Sequence, residues 1–100
     1  MGIDVQTGDG IAAVIIDFPP VNALPARGWD DLAAALRAAG ADRGTRAVIL
    51  SATGRGFCAG VDIKEMQRLD GHKGILRASS GCFAAFAAVY DCPVPVIAAV

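Results

Sequence analysis

The sequence predicts an α/β fold, and three observations carry that prediction. Short apolar runs with adjacent β-branched residues alternate with a stretch of helical spacing, giving a strand–helix–strand order in the first half of the chain. A loop bearing three glycines, Gly54, Gly56 and Gly60, joins a buried strand to a short helix. Finally, 54% of the residues are hydrophobic and only 19% are charged, which argues for a buried core and against disorder. One hundred residues make at most one small domain.

The first strand covers about Ile3 to Gln6. It turns through Thr7-Gly8-Asp9-Gly10 into a second, Ile11 to Asp17. Pro19-Pro20 ends that strand, because proline offers no N–H to a ladder. Pro25 suits a first helical turn and Gly40 a helix end. Between them Trp29, Leu32, Ala33 and Leu36 form an apolar stripe, with Asp30, Asp31 and Arg37 on other faces. The run Arg46 to Ala52 is the next strand, so a right-handed crossover and parallel pairing are expected. Asp62-x-x-Glu65 reads as a capping box opening a helix to about Leu69. A polar link from Gln67 to Gly74 follows, then a helix from about Ile75 to Tyr90. Its stripe of Leu76, Phe83, Phe86 and Tyr90 is expected to pack onto a sheet or a neighbouring subunit, and Gly81 weakens it slightly. Pro93 and Pro95 punctuate the chain before a third buried strand, Val96 to Val100.

The segment from Thr53 to Met66 is the centre of interest. A strand, a tight glycine loop and a helix N-terminus together offer backbone N–H groups to a carbonyl oxygen gaining negative charge, or to a phosphate. Other chemistry is thinly represented. Cys58, Cys82 and Cys92 form no C-x-x-C pair and read as buried reduced thiols, Cys58 included. His72 reads as a solvated loop residue, and Ser79-Ser80 lack a nucleophile-elbow context. Tyr90-Asp91 reads as a helix-end pair, and Glu65, the one glutamate, is taken up by capping. A net charge of −1 with scattered basic residues gives no footprint for nucleic acid. The apolar run Phe83 to Tyr90 is too short to span a bilayer, and Met1-Gly2-Ile3-Asp4 lacks the build of a signal peptide. No membrane partner and a cytoplasmic location are therefore expected.

The stretch Phe57-Cys58-Ala59-Gly60-Val61-Asp62-Ile63-Lys64-Glu65-Met66 resembles the F-x-A-G-x-D-[IL]-x-E segment of the crotonase (enoyl-CoA hydratase/isomerase) superfamily. Pro20-Val21-Asn22-Ala23-Leu24 and Pro93-Val94-Pro95-Val96-Ile97-Ala98-Ala99-Val100 extend the resemblance over nearly the whole chain. It implies a crotonase-like ββα spiral of which residues 1–100 form the N-terminal portion. It also implies an acyl-CoA substrate, with coenzyme A part of that substrate and no separate cofactor, and a homotrimer or hexamer as the full-length protein. The Val61 N–H would be half of an oxyanion hole for the thioester carbonyl. Ala59, Val61, Asp62, Ile63 and Lys64 would line the adenine and pantetheine path, with the turn Asn22, Ala23 and Leu24 at its border and Arg27 near a phosphate. In the family the two catalytic glutamates and the second oxyanion glycine lie beyond position 100, so this chain alone is expected not to turn over.

Hydration of a 2-enoyl-CoA, as in fatty acid metabolism, is the default reaction that the resemblance implies. Residues Gly60 to Arg68, Gly81 to Phe86 and Val89-Tyr90 are particularly similar to an actinobacterial subgroup that hydrolytically opens a ring in steroid catabolism. A reading of another class is a non-catalytic truncated piece that associates with full-length subunits. A dinucleotide-binding module ranks last. Gly54-x-Gly56-x-x-Ala59 matches its fingerprint, but the helix is expected to start only at Asp62.

Overall fold

The computed structural model describes residues 2–68 and 71–100. Strands β1 (Gly2–Gly8) and β2 (Ile11–Asp17) form an antiparallel hairpin. Its two turn residues, Asp9 and Gly10, have φ of 55° and 82°, the geometry of the two-residue turn that matches strand twist. After Asp17 the chain bends through Phe18–Asn22, where the Pro19–Pro20 peptide is cis, into a two-residue strand β3 (Ala23–Leu24). Helix α1 (Ala26–Ala41) crosses over to β4 (Ala47–Ala52), which pairs parallel to β2 as the strand–helix–strand pattern requires. Strand β5 (Gly60–Val61), helices α2 (Ile63–Arg68) and α3 (Gly71–Tyr90), and strand β6 (Val96–Ala98) complete the order. The main sheet runs β1-β2-β4-β6, and β3 pairs parallel to β5 in a separate two-stranded sheet.

The core lies between the main sheet and α1. Val14, Ile16 and Val48 point from the sheet toward Leu32, Ala33 and Leu36 of the helix. Alternation along β2 (Ala12, Val14 and Ile16 buried) and the i, i+3, i+4, i+7 set on α1 (Trp29, Leu32, Ala33, Leu36) meet face to face. Each fully buried Val, Leu or Ile side chain contributes on the order of 1.5–3 kcal/mol.

Several expectations are corrected. Pro25 is the N-cap of α1 rather than its first residue, and Gly40 lies inside the helix. A Cβ on Gly40 would sit 2.8 Å from Cys92 Sγ, so its role is close approach and not helix termination. Helix α3 opens at Gly71, absorbing Gly71–Gly74 from the expected polar link, His72 among them. The expected end of the short helix at Leu69, with Asp70 of the link, falls outside the described residues. The stripe of Leu76, Phe83, Phe86 and Tyr90 does not pack onto the sheet: all four are exposed. Instead α3 turns its small residues, Ala78, Gly81, Ala85 and Ala88, inward against α1. Gly81 is thereby explained, since a Cβ there would lie 3.1 Å from Trp29 Cβ and 3.3 Å from Ala26 O. At one end of this interface Arg77 pairs with Asp30; the hydrogen bond first and then the charge of Asp30 raise the pKa of Arg77. The last strand is shorter than expected, and Ile97 to Val100 are exposed because β6 is the outer strand of the sheet.

Candidate functional site

The site is built where β4 ends. The Thr53 N–H continues the parallel ladder by donating to Ile16 O at 2.9 Å, and its hydroxyl donates to Asp17 Oδ1 at 2.8 Å. The chain then leaves the main sheet through Gly54 (φ 81°) and reaches the smaller β3–β5 sheet at Ala59, whose N–H donates to Asn22 O at 3.1 Å. Three residues later the Asp62 N–H donates to Leu24 O at 2.9 Å. Regular strand alternation would send the amides of residues three apart in opposite directions. Gly60, at φ 108°, absorbs the irregularity, a conformation that suits glycine. With the Asp62 amide bound to β3, the preceding amide, that of Val61, faces the edge of β5 away from β3.

Asp62 then caps α2: its Oδ1 accepts from the N–H groups of Lys64 at 3.1 Å and Glu65 at 3.3 Å. The reciprocal half of the expected capping box is absent. Glu65 Oε1 accepts instead from the Ala26 N–H, at 2.7 Å, and the Asp62 N–H belongs to β3. The carboxylate thus satisfies an orphan donor at the start of α1, which its own N-cap proline leaves without a side-chain partner.

Two cavities flank β5. The first, about 480 Å³, runs between the Phe18-Pro19-Pro20-Val21 turn and Ala23 on one side and Ala59, Val61, Asp62, Ile63 and Lys64 on the other. The second, about 360 Å³, is almost wholly apolar, with Trp29, Leu32, Phe57, Phe86 and Val89 in its walls. Ala59 borders both cavities, with Val61 on the first and Gly60 on the second. Ala23, Ala59, Val61, Asp62, Ile63 and Lys64, all singled out from the sequence, therefore come together around one groove. Leu24 and Arg27 do not. The Leu24 side chain is fully buried in the core, and only its carbonyl serves the site. Arg27 is exposed on α1 beside Asp31 and borders a different depression with Gly2, Phe18 and Pro25.

Sequence reasoning missed the wall formed by Phe18 to Val21, although the Pro-Pro pair marked a turn there. It also missed the β3–β5 pairing, because two-residue strands carry no periodicity. The segment Gly54–Ala59 leads into β5 and not into a helix, contrary to the geometry of a dinucleotide fingerprint.

With the geometry in hand, comparison with known proteins is decisive. Residues 6–100 match the family model for enoyl-CoA hydratase/isomerase. The chain belongs to this family. It is 66% identical over 91 residues to a (7aS)-7a-methyl-1,5-dioxo-2,3,5,6,7,7a-hexahydro-1H-indene-carboxyl-CoA hydrolase of Mycobacterium tuberculosis, covering 91% of this chain and 37% of that protein. It is 60% identical to the protein of the same name from Rhodococcus jostii, covering 100% of this chain and 39% of the relative. Among solved structures, an enoyl-CoA hydratase/isomerase from Xanthobacter autotrophicus superposes with a TM-score of 0.87 at 33% identity, over 100% of this chain and 38% of the other. An enoyl-CoA hydratase from Mycobacterium smegmatis gives 0.87 at 30% identity, covering 96% and 38%. The expected crotonase-like fold is thus observed, and the chain spans well under half the length of these relatives. Among the described residues, no helix is long and apolar enough to cross a membrane.

Proposed function

We propose that this chain is the N-terminal portion of an acyl-CoA-binding domain that stabilises the enolate of a bound thioester. The carrying observation is the bond of the Asp62 N–H to Leu24 O, which by strand alternation turns the Val61 amide to the other edge of β5, between a groove with polar residues and an apolar cavity. A thioester carbonyl at that amide directs its CoA portion along Ala23, Ala59, Asp62, Ile63 and Lys64. Its acyl group then enters the cavity walled by Trp29, Phe57, Phe86 and Val89. Coenzyme A belongs to the substrate, and no separate cofactor is invoked. The charge of the enolate is met by the amide donor, and an interaction of this kind is worth about 10²–10³ in rate.

For the whole protein the proposed reaction is hydrolytic ring opening of a cyclic acyl-CoA, in line with the names of the two relatives above 60% identity or at it. Breaking a ring C–C bond leaves electron density that the thioester carbonyl accepts. The second reading is hydration of a 2-enoyl-CoA, supported by a relative from Bacillus subtilis named as a probable enoyl-CoA hydratase, 37% identical over 71 residues. Both reactions pass negative charge to the same oxygen. The general acid and base, typically worth about 10²–10⁴, are assigned to the part of the protein beyond position 100. Residues 1–100 alone then show no turnover. The proposal places the protein in the cytoplasm, where CoA thioesters are made and consumed. It assembles as a trimer or hexamer through apolar surface that includes the exposed face of α3.

The test is binding of a 2,4-dienoyl-CoA, a conjugated thioester whose absorption moves to longer wavelength when its carbonyl is polarised. Saturable binding with a red shift is the expected result. Binding without a shift removes the oxyanion role, and failure to bind removes the acyl-CoA reading altogether. Native mass determination of the full-length protein decides the assembly.

A further inference from the structure

The loop that leads into Val61 is held, up to Ala59, by hydrogen bonds to a residue far away in sequence, Asn22. Asn22 is 1% exposed and has φ 57°, a left-handed conformation that asparagine tolerates better than most residues. Its Oδ1 accepts from the Phe18 N–H at 2.7 Å, and its own N–H donates to Phe18 O at 2.8 Å, closing the turn that walls the groove. Its Nδ2 donates to Thr53 O at 2.8 Å and to Gly56 O at 2.9 Å. Its carbonyl accepts from the Ala59 N–H. One buried residue therefore grips the glycine loop where it leaves the main sheet, in its middle, and where it joins β5.

Besides Asn22, the loop is tied at its start, where Thr53 bonds Ile16 O and Asp17, and beyond its end, where the Asp62 N–H bonds Leu24 O. Thr53, Gly54, Arg55 and Gly56 are exposed, and Gly54 sits at φ 81°. Apolar anchoring begins only at Phe57 and Cys58, both half-buried. Asn22 fixes the entry to β5 by holding the Ala59 N–H, and with the Asp62 N–H held by Leu24 O the two contacts bracket the Val61 amide. The carboxamide is suited to this position because it alone offers two donors and an acceptor on a short, planar side chain.

We infer that Asn22 is the positioning residue of the oxyanion site: it touches no substrate, and it aims the Val61 amide by strapping Thr53–Gly56 to the groove wall. The inference rests on the acyl-CoA reading above. Two variants separate its parts. Asn22→Gly keeps access to the left-handed backbone but deletes the carboxamide. Asn22→Asp keeps the acceptor for Phe18 and sets an oxygen against the Thr53 and Gly56 carbonyls.

The experiment is the absorption spectrum of a 2,4-dienoyl-CoA at saturation in the wild type and both variants, with thermal unfolding measured in parallel. Partial unfolding lowers the amount of probe bound but leaves the wavelength of each bound molecule unchanged. The expected result is a red-shifted probe in the wild type. In Asn22→Gly and Asn22→Asp the bound probe returns most of the way to its wavelength in water. A full shift in either folded variant overturns the role of Asn22 while leaving the acyl-CoA reading intact. A wild-type protein that binds the probe without a shift overturns both. If Asn22→Gly does not fold, Asn22→Asp alone decides, and loss of folding in both with the wild-type shift present reduces Asn22 to a structural residue and ends the proposal.

Discussion

Between α1 and α3 the two backbones approach through small residues, Ala78, Gly81, Ala85 and Ala88 of α3, with Gly81 against Ala26 and Trp29 of α1. From Thr53 to Asp62 the chain is held instead by directional hydrogen bonds to Asn22, Leu24 and Ile16. The helical pair depends on shape, where one methyl group too many or too few is felt throughout the contact. The loop depends on donors and acceptors whose loss moves an amide without opening a cavity. The two regions meet at the apolar cavity, where Trp29, Phe86 and Val89 of the helices face Phe57 and Ala59 of the loop.

Substitutions in the two regions should therefore divide between unfolding free energy and the spectrum of a bound dienoyl-CoA. The largest stability loss is expected for Leu36→Ala, which removes a fully buried side chain of the core. Urea unfolding should show about 2–5 kcal/mol, with the wavelength of the bound probe unchanged. A moved wavelength would mean that core and site are not separable. Gly81→Val is next. Its Cβ already meets Trp29 and Ala26 at 3.1 and 3.3 Å, and the extra methyls overpack the helical contact by about 1–3 kcal/mol. Thermal melting detects this as a lower midpoint.

Asp62→Ala sharpens the comparison from the other side. It removes the cap that accepts from Lys64 and Glu65, a loss of about 0.5–2 kcal/mol, and it alters the groove wall. Titration with acyl-CoA should show weaker binding out of proportion to that small stability change. The smallest effect is expected for Phe83→Ser, on the outward face of α3 at 76% exposure. The folding free energy should stay within about 0.5 kcal/mol of the wild type. The same substitution should lower self-association in sedimentation experiments on the full-length protein, since it removes apolar surface from the proposed contact face.

Much of this fold is written locally. The apolar β-branched run Ile11 to Asp17, the helical spacing of Trp29, Leu32 and Leu36, and the apolar run before Thr53 each bury one face. Burying those faces together leaves a parallel β2–α1–β4 unit with the glycine loop at its exit. Such signals survive in sequence because each arises from residues within two turns or one strand of each other. The glycine loop was legible for the same reason, whereas Val61 was singled out by the resemblance of Phe57 to Met66.

What only the tertiary structure decided concerns choices between chemically equal partners. Glu65 can reach back to its own helix or across to Ala26, and it takes Ala26 because Asp62 has already given its N–H to β3. Helix α3 has an aromatic stripe and a small-residue stripe, and the small one wins because it lets the backbone approach α1 closely enough to touch Trp29 and Ala26. Asn22 reads as one more turn residue until Thr53 and Gly56, more than thirty positions away, are brought to its side chain. Local pattern sets which surfaces must be buried; which donor meets which acceptor is set only when distant segments compete for the same groups.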